Sequence, residues 1–242
     1  MMTTNKQPLI SELIVEKDLL HFDREARELL QVPGDLEYVV EPRVAGAEVV
    51  LIYEQGVLRS ADARTGPVTT SVKTILTVPL TFVPLRKETP VPDYLEVIAD
   101  VYMEGEAFAR LNQERKQKNL PAFSDPRAAV QDSLQQTDAR VSAKRPLNYF
   151  CSGCGKRVGL PAATYYELML ALQELGLRVN RPHIRVTKGI REAVEHCRRL
   201  KKEKSDFPYP VEGALIRVNS LELQERTRQG LGNLPEKVIF RF

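Results

Sequence analysis

Hydrophobic residues recur along the chain with two spacings, which predict its secondary structure. In segment 15–30, apolar residues return every three or four positions, as on one face of an α-helix, and Pro33-Gly34 follows as a stop signal. Asp125 before Pro126 is typical of a helix N-cap followed by proline at the first helical position. Further helices are predicted for 104–118, 126–136, 164–175 and 188–204.

Strand-like segments separate these helices. Residues 36–58 predict a strand, a turn and two paired strands joined at Gln55-Gly56. The second of these strands is apolar at every position from Val49 to Tyr53, so we expect it to be buried on both faces. Residues 59–72 predict a loop. Further strands are predicted for 74–83, 94–103, 144–150, 215–218 and 238–242. The first of these is expected to be an edge strand or to contain a bulge, because Pro79 has no N–H to donate to a strand ladder.

The order of these elements indicates the fold class. Helices and strands come in mixed order without regular βαβ alternation, which favours an α+β fold. We divide the chain into an N-terminal polar segment with its helix, 1–34, and a core, 35–242, which together form one structural domain. The 242 residues, 43% of them apolar, suffice for a well-buried core.

Composition narrows the class of protein only slightly. No apolar run reaches the roughly 20 residues that cross a bilayer, and the first residues lead into no apolar signal segment, so a cytoplasmic chain is expected. The formal charge of +3 is too small to indicate nucleic acid by itself. The basic run 198–204 is either a solvated helix end or a contact to a phosphate backbone.

The cysteines suggest a metal site but do not complete one. Cys151 and Cys154 have the spacing of half a zinc ribbon, whereas a structural zinc normally needs four ligands. Cys197 and His183 or His196 could supply the others, but none has partner spacing, so we expect no metal. A redox dithiol stays open, without a supporting βαβ pattern.

One segment carries a family resemblance. Glu41-Pro42-Arg43-Val44-Ala45-Gly46 resembles the nucleotide-binding motif of NAD-dependent DNA ligases, Glu-Pro-Lys-(Ile/Val)-Asp-Gly. Other segments are similar to the adenylation domain of that family in the same order: 68–80, 95–103, 123–127 and 208–219. The resemblance covers nearly the whole chain. It implies the nucleotidyltransferase fold of a ligase adenylation domain, with mixed or antiparallel sheets flanked by helices.

The resemblance also implies a site for AMP or an NAD-like nucleotide. In the family, the motif lysine attacks the α-phosphate of the cofactor and carries AMP covalently. The positions that this implies for nucleotide contacts are Glu41, Arg43, Arg64, Asp100, Arg127, Glu212, Arg217 and Arg241.

The departures from the family pattern concentrate at these positions. The nucleophile position is Arg43, and a guanidinium keeps its proton, so it has no lone pair with which to attack phosphorus. Ala45 removes a neighbouring carboxylate. Arginine also replaces lysine at positions 217 and 241, which keeps the positive charge. We therefore weigh retained phosphate binding against neutral drift after loss of function.

These observations lead to three hypotheses. The first is an inactive relative, a pseudoenzyme, that binds nucleotide, DNA or a protein partner in DNA replication or repair. The second is a working nucleotidyltransferase with a relocated nucleophile, Lys73 or Lys237. The third is a DNA-binding or scaffold module that uses the basic helix ending at Lys204. The resemblance gives this chain no counterpart of the family's nicotinamide-binding and DNA-encircling domains, so NAD use and nick sealing are not expected.

Overall fold

The computed structural model describes residues 10–13, 16–86, 88–228, 235 and 237–242. Its strands are β1 (Ile10–Leu13), β2 (Glu37–Val44), β3 (Ala47–Glu54), β4 (Val57–Ala63), β5 (Gly66–Pro67), β6 (Tyr94–Met103), β7 (Leu147–Val158), β8 (Arg185–Lys188), β9 (Val211–Val218) and β10 (Lys237–Arg241). Its α-helices are α1 (Glu16–Leu30), α2 (Thr69–Val72), α3 (Gly105–Gln117), α4 (Pro126–Leu134), α5 (Ala139–Ser142), α6 (Tyr165–Glu174), α7 (Gly189–Lys202) and α8 (Leu221–Arg228).

The first sheet has the order β1-β10-β9-β2-β8. Its pairs are antiparallel except β1 with β10. Helices α1 and α7 cover one face, where Leu19 and Phe22 join Val194 and Cys197 in a shared core with residues of β2 and β9. Both helices have the apolar stripe that such packing requires.

The second sheet has the order β5-β4-β3-β6-β7 and is antiparallel throughout. It packs into the larger core together with α4 and α6. The chain passes from the first sheet to the second at Ala45-Gly46, between β2 and β3. A side chain at Gly46 would clash with the carbonyl oxygen of Val101 on β6, so this crossing requires glycine.

The α+β class is confirmed, as are most of the predicted elements. The Gln55-Gly56 turn has φ values of 48° and 77°, as expected for a two-residue hairpin. Helix α4 begins after Asp125, and α6 is followed by Gly176 with a positive φ of 86°. The division of the chain at residue 34 stays a prediction.

Four local predictions are wrong. Residues 59–72 are not one loop, because they contain the end of β4, then β5 and α2. Residues 74–83 form turns rather than a strand, with Ile75, Val78 and Phe82 anchored in the core and only Thr81 bridging to Val57. The strand predicted to end at Phe150 continues to Val158. Strand β3 is buried on one face and half-buried on the other, since its burial alternates.

Candidate functional site

The motif positions converge where β2 and β9 of the first sheet face β6 of the second. Arg43 on β2 lies between two carboxylates from other strands. Its Nη1 is 3.7 Å from Oδ1 of Asp100, and its Nε donates a hydrogen bond to Oε1 of Glu212 at 3.3 Å. Arg127 donates to both oxygens of Glu212 at 2.8 Å. The guanidinium at the nucleophile position is therefore held in an ion-pair network.

The start of α4 places Arg127 in this network. Asp125 caps the helix by accepting a hydrogen bond from the backbone N–H of Ala128 at 2.9 Å. This contact and the hydroxyl of Ser124 lower the pKa of Asp125 below its ordinary value. Since Pro126 begins the helix, Arg127 is its second residue and projects from a fixed end.

A second network surrounds Glu41. Its Oε1 accepts hydrogen bonds from Oη of Tyr165 at 2.9 Å and from Nη2 of Arg217 at 2.8 Å. The Arg217 guanidinium also lies over the Tyr165 ring, 3.9 Å from its centroid. Burial raises the pKa of Glu41, while Arg217 and the Tyr165 hydroxyl oppose that rise.

Little space remains for a base beside Glu41, Arg43 and Asp100. The cavity beside Glu41, Arg43 and Asp100 has a volume of only about 10 Å³, which is room for about one water molecule. The resemblance gives Glu41 the role of accepting from an adenine amino group, but here its Oε1 accepts from Tyr165 and Arg217. In this arrangement the residues do not fit an adenine at Glu41.

The structure thus brings together six of the eight sequence-predicted positions: Glu41, Arg43, Asp100, Arg127, Glu212 and Arg217. It places the other two differently. Arg64 is exposed in the turn after β4, and Arg241 is exposed at the end of β10. Arg64 and Arg241 each lie at the end of a strand, away from the other six residues in sequence, so matching a motif does not fix where their side chains lie.

Sequence reasoning missed Tyr165 as a site residue. It is the first residue of α6, and Thr164 caps that helix through a capping box with Glu167. The Thr-x-x-Glu pattern could have located the helix start, but not the direction in which the tyrosine points. That direction follows from how α6 packs on the second sheet, where Tyr165 is 1% exposed.

Lys237, which the sequence offers only as a relocated nucleophile, is buried near the charged residues of the site. It is 5% exposed, and burial lowers the pKa of its ammonium. Arg217 and Arg43 lower this pKa further, while Glu48 and Asp100 oppose the change. Lys73, the other lysine considered, is exposed beside α2.

The cysteines and the basic run have ordinary structural settings. Cys151 and Cys154 lie on β7 as free thiols, and burial raises the pKa of Cys154 to about 12. No group of three or more histidine, cysteine, aspartate or glutamate side chains that could hold a metal occurs in the described ranges. In the basic run, Arg198 pairs with Glu16 at 2.6 Å. None of the helices in the described part of the chain is long and apolar enough to cross a membrane.

Comparisons with known proteins give these observations a family context. A DNA ligase of Carboxydothermus hydrogenoformans is 40% identical over 215 residues, which are 86% of this chain and 31% of that protein. A DNA ligase of Syntrophotalea carbinolica is 35% identical over 235 residues, 93% of this chain and 34% of that protein. The chain therefore spans about a third of the length of these relatives.

A solved mycobacterial DNA ligase D aligns over 99% of this chain and 62% of its own, with 10% identity and a TM-score of 0.48. The sequence profile of the NAD-dependent DNA ligase adenylation domain matches residues 9–232. The chain therefore belongs to the NAD-dependent DNA ligase adenylation domain family.

Proposed function

We propose that this chain is a catalytically inactive adenylation domain, which keeps the fold of its family but forms no covalent AMP. The observation that supports this is the setting of Arg43. A lysine can lose its proton when it is desolvated and then attack phosphorus, whereas an arginine stays protonated. Asp100 and Glu212 on either side stabilise the charged guanidinium further.

The contacts around Glu41 support the same proposal, because they also disfavour nucleotide binding. An entering adenine would have to displace Tyr165 from Glu41, and the freed carboxylate would still be paired with Arg217. Breaking a buried hydrogen bond to a charged group costs about 1.5–3 kcal/mol. We therefore infer that nucleotide binding at Glu41 is weak as well as chemically unproductive.

The test is an adenylation assay on the wild-type chain. The protein is incubated with Mg²⁺ and labelled NAD or ATP and then separated on a denaturing gel, with an active DNA ligase as the positive control. We expect no label on the wild type. A labelled band at the mass of this chain would overturn the proposal, and peptide mapping of that band would identify the residue that carries AMP.

A specific observation favours one alternative over the others. If the chain is an active nucleotidyltransferase, its nucleophile is Lys237 rather than Lys73, because Lys237 is buried beside Arg217 and Asp100 and has a lowered pKa. Label that disappears in Lys237→Ala and persists in Lys73→Ala would establish this alternative. If neither the wild type nor Lys73→Ala is labelled, the result agrees with the inactive domain.

DNA as a partner is a separate proposal, based on the family and on the end of α7. Lys201 and Lys202 are exposed there, whereas Arg198 is paired with Glu16. If these lysines contact phosphates, binding weakens steeply with salt, and Lys201→Gln/Lys202→Gln reduces the salt dependence by about two contacts. Lys73→Gln, which changes one exposed lysine elsewhere, is the control. Salt-insensitive or absent binding would exclude DNA contact at this helix end.

A further inference from the structure

A cavity of about 560 Å³ lies between α1 and the start of α7, the two helices that cover one face of the first sheet. None of the eight positions implied by the ligase resemblance lines this cavity, so it is separate from the site described above. Six of the residues that line it are charged, four of them cationic and two acidic: Arg24, Arg27, Lys188, Arg191, Asp23 and Asp35. Its lining therefore carries a net charge of +2.

Both acidic side chains of the lining are paired with the same arginine. Asp23 is buried, and its Oδ1 accepts a hydrogen bond from Oη of Tyr38 at 2.9 Å, while its Oδ2 lies 2.9 Å from Nη2 of Arg27. Asp35 is exposed, and its Oδ1 lies 3.7 Å from Nη1 of Arg27. The negative charge of the lining is therefore concentrated around one of the four cations.

The other three cations of the lining can pair with a second molecule. Arg24, Lys188 and Arg191 are exposed, and the ion pairs between described residues include none of the three. Nη2 of Arg24 instead contacts Nδ1 of His21 at 2.8 Å. Nε of Arg27 is enclosed and has no hydrogen-bond partner among the described residues. These groups are hydrogen-bond donors with a positive charge, so the cavity favours a ligand with carboxylate or phosphate oxygens.

An exposed leucine beside these cations favours a protein over the other anionic partners. Leu20 lines the same cavity and is 49% exposed, although the preceding Leu19 is fully buried. Apolar side chains next to arginine are typical of protein–protein interfaces, whereas contacts to DNA go mostly to phosphate and sugar. The exposed carboxylate of Asp35 would also repel a phosphate backbone. A small anion alone would leave Leu20 uncovered.

We propose that this cavity is the docking site for an acidic segment of a protein partner. Aspartate or glutamate side chains of that segment pair with Arg24, Lys188 and Arg191, and an apolar side chain between them covers Leu20. A guanidinium can bind a carboxylate through two parallel hydrogen bonds. Since Arg24 belongs to α1 and Arg191 to α7, a segment that lies across both helices contacts both arginines. The proposal does not rest on the inactivity of position 43.

The first test is fluorescence anisotropy with the labelled peptide Glu-Glu-Leu-Glu-Glu-Leu-Glu-Glu. We expect saturable binding to the wild type that weakens with salt, because the paired charges are exposed. In Arg24→Gln/Arg191→Gln the affinity should fall about tenfold, since two ion pairs are lost. The matched control is Lys201→Gln/Lys202→Gln, which removes the same charge from the other end of α7 and should bind the peptide like the wild type.

Three outcomes of this test would overturn the proposal. The first is a wild type that does not bind the peptide saturably. The second is an equal loss of affinity in the two double variants, which would show only a general attraction between opposite charges. The third is a duplex DNA that binds the wild type more tightly than the peptide and loses affinity in Arg24→Gln/Arg191→Gln, which would assign the cavity to nucleic acid. None of these outcomes depends on the adenylation assay, which measures covalent AMP.

The role of the apolar contact is tested with a second peptide, in which serine replaces both leucines. Its affinity for the wild type should be lower, because Leu20 then loses its apolar partner. Equal affinities of the two peptides would contradict the docking of a segment over Leu20.

A cross-linking experiment locates the bound peptide. A carbodiimide joins a carboxylate of the peptide to a lysine amine that it contacts, and mass spectrometry of the digest identifies the lysine. We expect a cross-link at Lys188 in the wild type and much less of it in Arg24→Gln/Arg191→Gln, with cross-links at Lys201 and Lys202 equal in both proteins. A wild type without a cross-link at Lys188, or one that is unchanged in the variant, would overturn the proposal.

Discussion

Two neighbouring clusters of positively charged side chains differ in how their charges are compensated. In the motif cluster, Arg43, Arg127 and Arg217 each contact a carboxylate at 2.8–3.7 Å. In the cavity cluster, which lines the space of about 560 Å³ between the two sheets, Nε of Arg217 is buried without a hydrogen-bond partner among the described residues, and Lys237 is 5% exposed. The difference teaches that a positive charge at position 43 or 217 does not by itself make a phosphate site. A cation that is already paired has little left to offer a ligand.

The largest expected effect comes from breaking the motif cluster at Glu41. Glu41→Ala leaves Arg217 buried without its carboxylate, so we expect the free energy of unfolding to fall by about 3–5 kcal/mol. Urea unfolding measures this. The double variant Glu41→Leu/Arg217→Met removes both charges and should recover most of the loss. A double variant as unstable as the single one would show that the charges are not what holds this cluster.

A smaller loss is expected from Tyr165→Phe. This change removes the hydroxyl that donates to Glu41 at 2.9 Å but keeps the ring under Arg217, so we expect a loss of about 1.5–3 kcal/mol. The same variant should bind adenosine more tightly than the wild type, because one acceptor site of Glu41 is freed. Calorimetric titration measures that binding. Unchanged stability together with unchanged adenosine affinity would mean that Tyr165 does not close the site.

The cavity cluster should respond in the opposite direction. Lys237→Met should raise the free energy of unfolding at neutral pH by about 1–2 kcal/mol, because an ammonium that is largely removed from water is replaced by an apolar side chain. The pKa of Lys237 is lower in the folded state than its ordinary 10.5. The unfolded chain therefore binds more protons between these two values, and wild-type stability rises with pH in that window.

The difference in the free energy of unfolding between Lys237→Met and the wild type should consequently become smaller as the pH approaches 10.5. Urea unfolding between pH 7 and 10.5 measures it, with Lys73→Met as the control for losing one lysine. A gap that widens with pH, or a Lys237→Met protein less stable than the wild type at pH 7, would show that Lys237 is compensated in the folded state.

The smallest effect concerns the helix end that carries Arg127. Asp125→Ala should cost about 1 kcal/mol at neutral pH through loss of the N-cap. The folded-state pKa of Asp125 is lowered, so its contribution is complete above the ordinary value of 3.8 and is lost as the pH falls through the folded value. The free energy of unfolding should therefore change less between pH 7 and pH 2.5 in the variant than in the wild type. Equal acid sensitivity in both proteins would contradict this role.

The sequence predicted the fold better than the state of the site. Elements with strong periodicity or clear caps, such as α4 after Asp125 and the hairpin at Gln55-Gly56, were located correctly, because their signals are local. The sequence predicts a strand for residues 74–83, but Ile75, Val78 and Phe82 anchor a turn-rich segment in the core. Periodicity does not distinguish these two uses of buried residues.

The site shows the same limit at the level of chemistry. Motif matching found six charged residues that the structure brings together, and the chemistry of arginine at position 43 could be argued directly. It could not show that the Tyr165 hydroxyl would donate a hydrogen bond to Glu41, or that Lys237 would be buried. The first fact depends on a contact between residues 124 positions apart, and both depend on how the strands pair, for which this single sequence carries no local signal.

The most direct test of the central claim is the intact mass of the wild-type chain after incubation with NAD or ATP and Mg²⁺. The account predicts one species at the mass of the unmodified polypeptide, since a protonated guanidinium at position 43 cannot form the covalent bond. A second species heavier by one adenylate would contradict it.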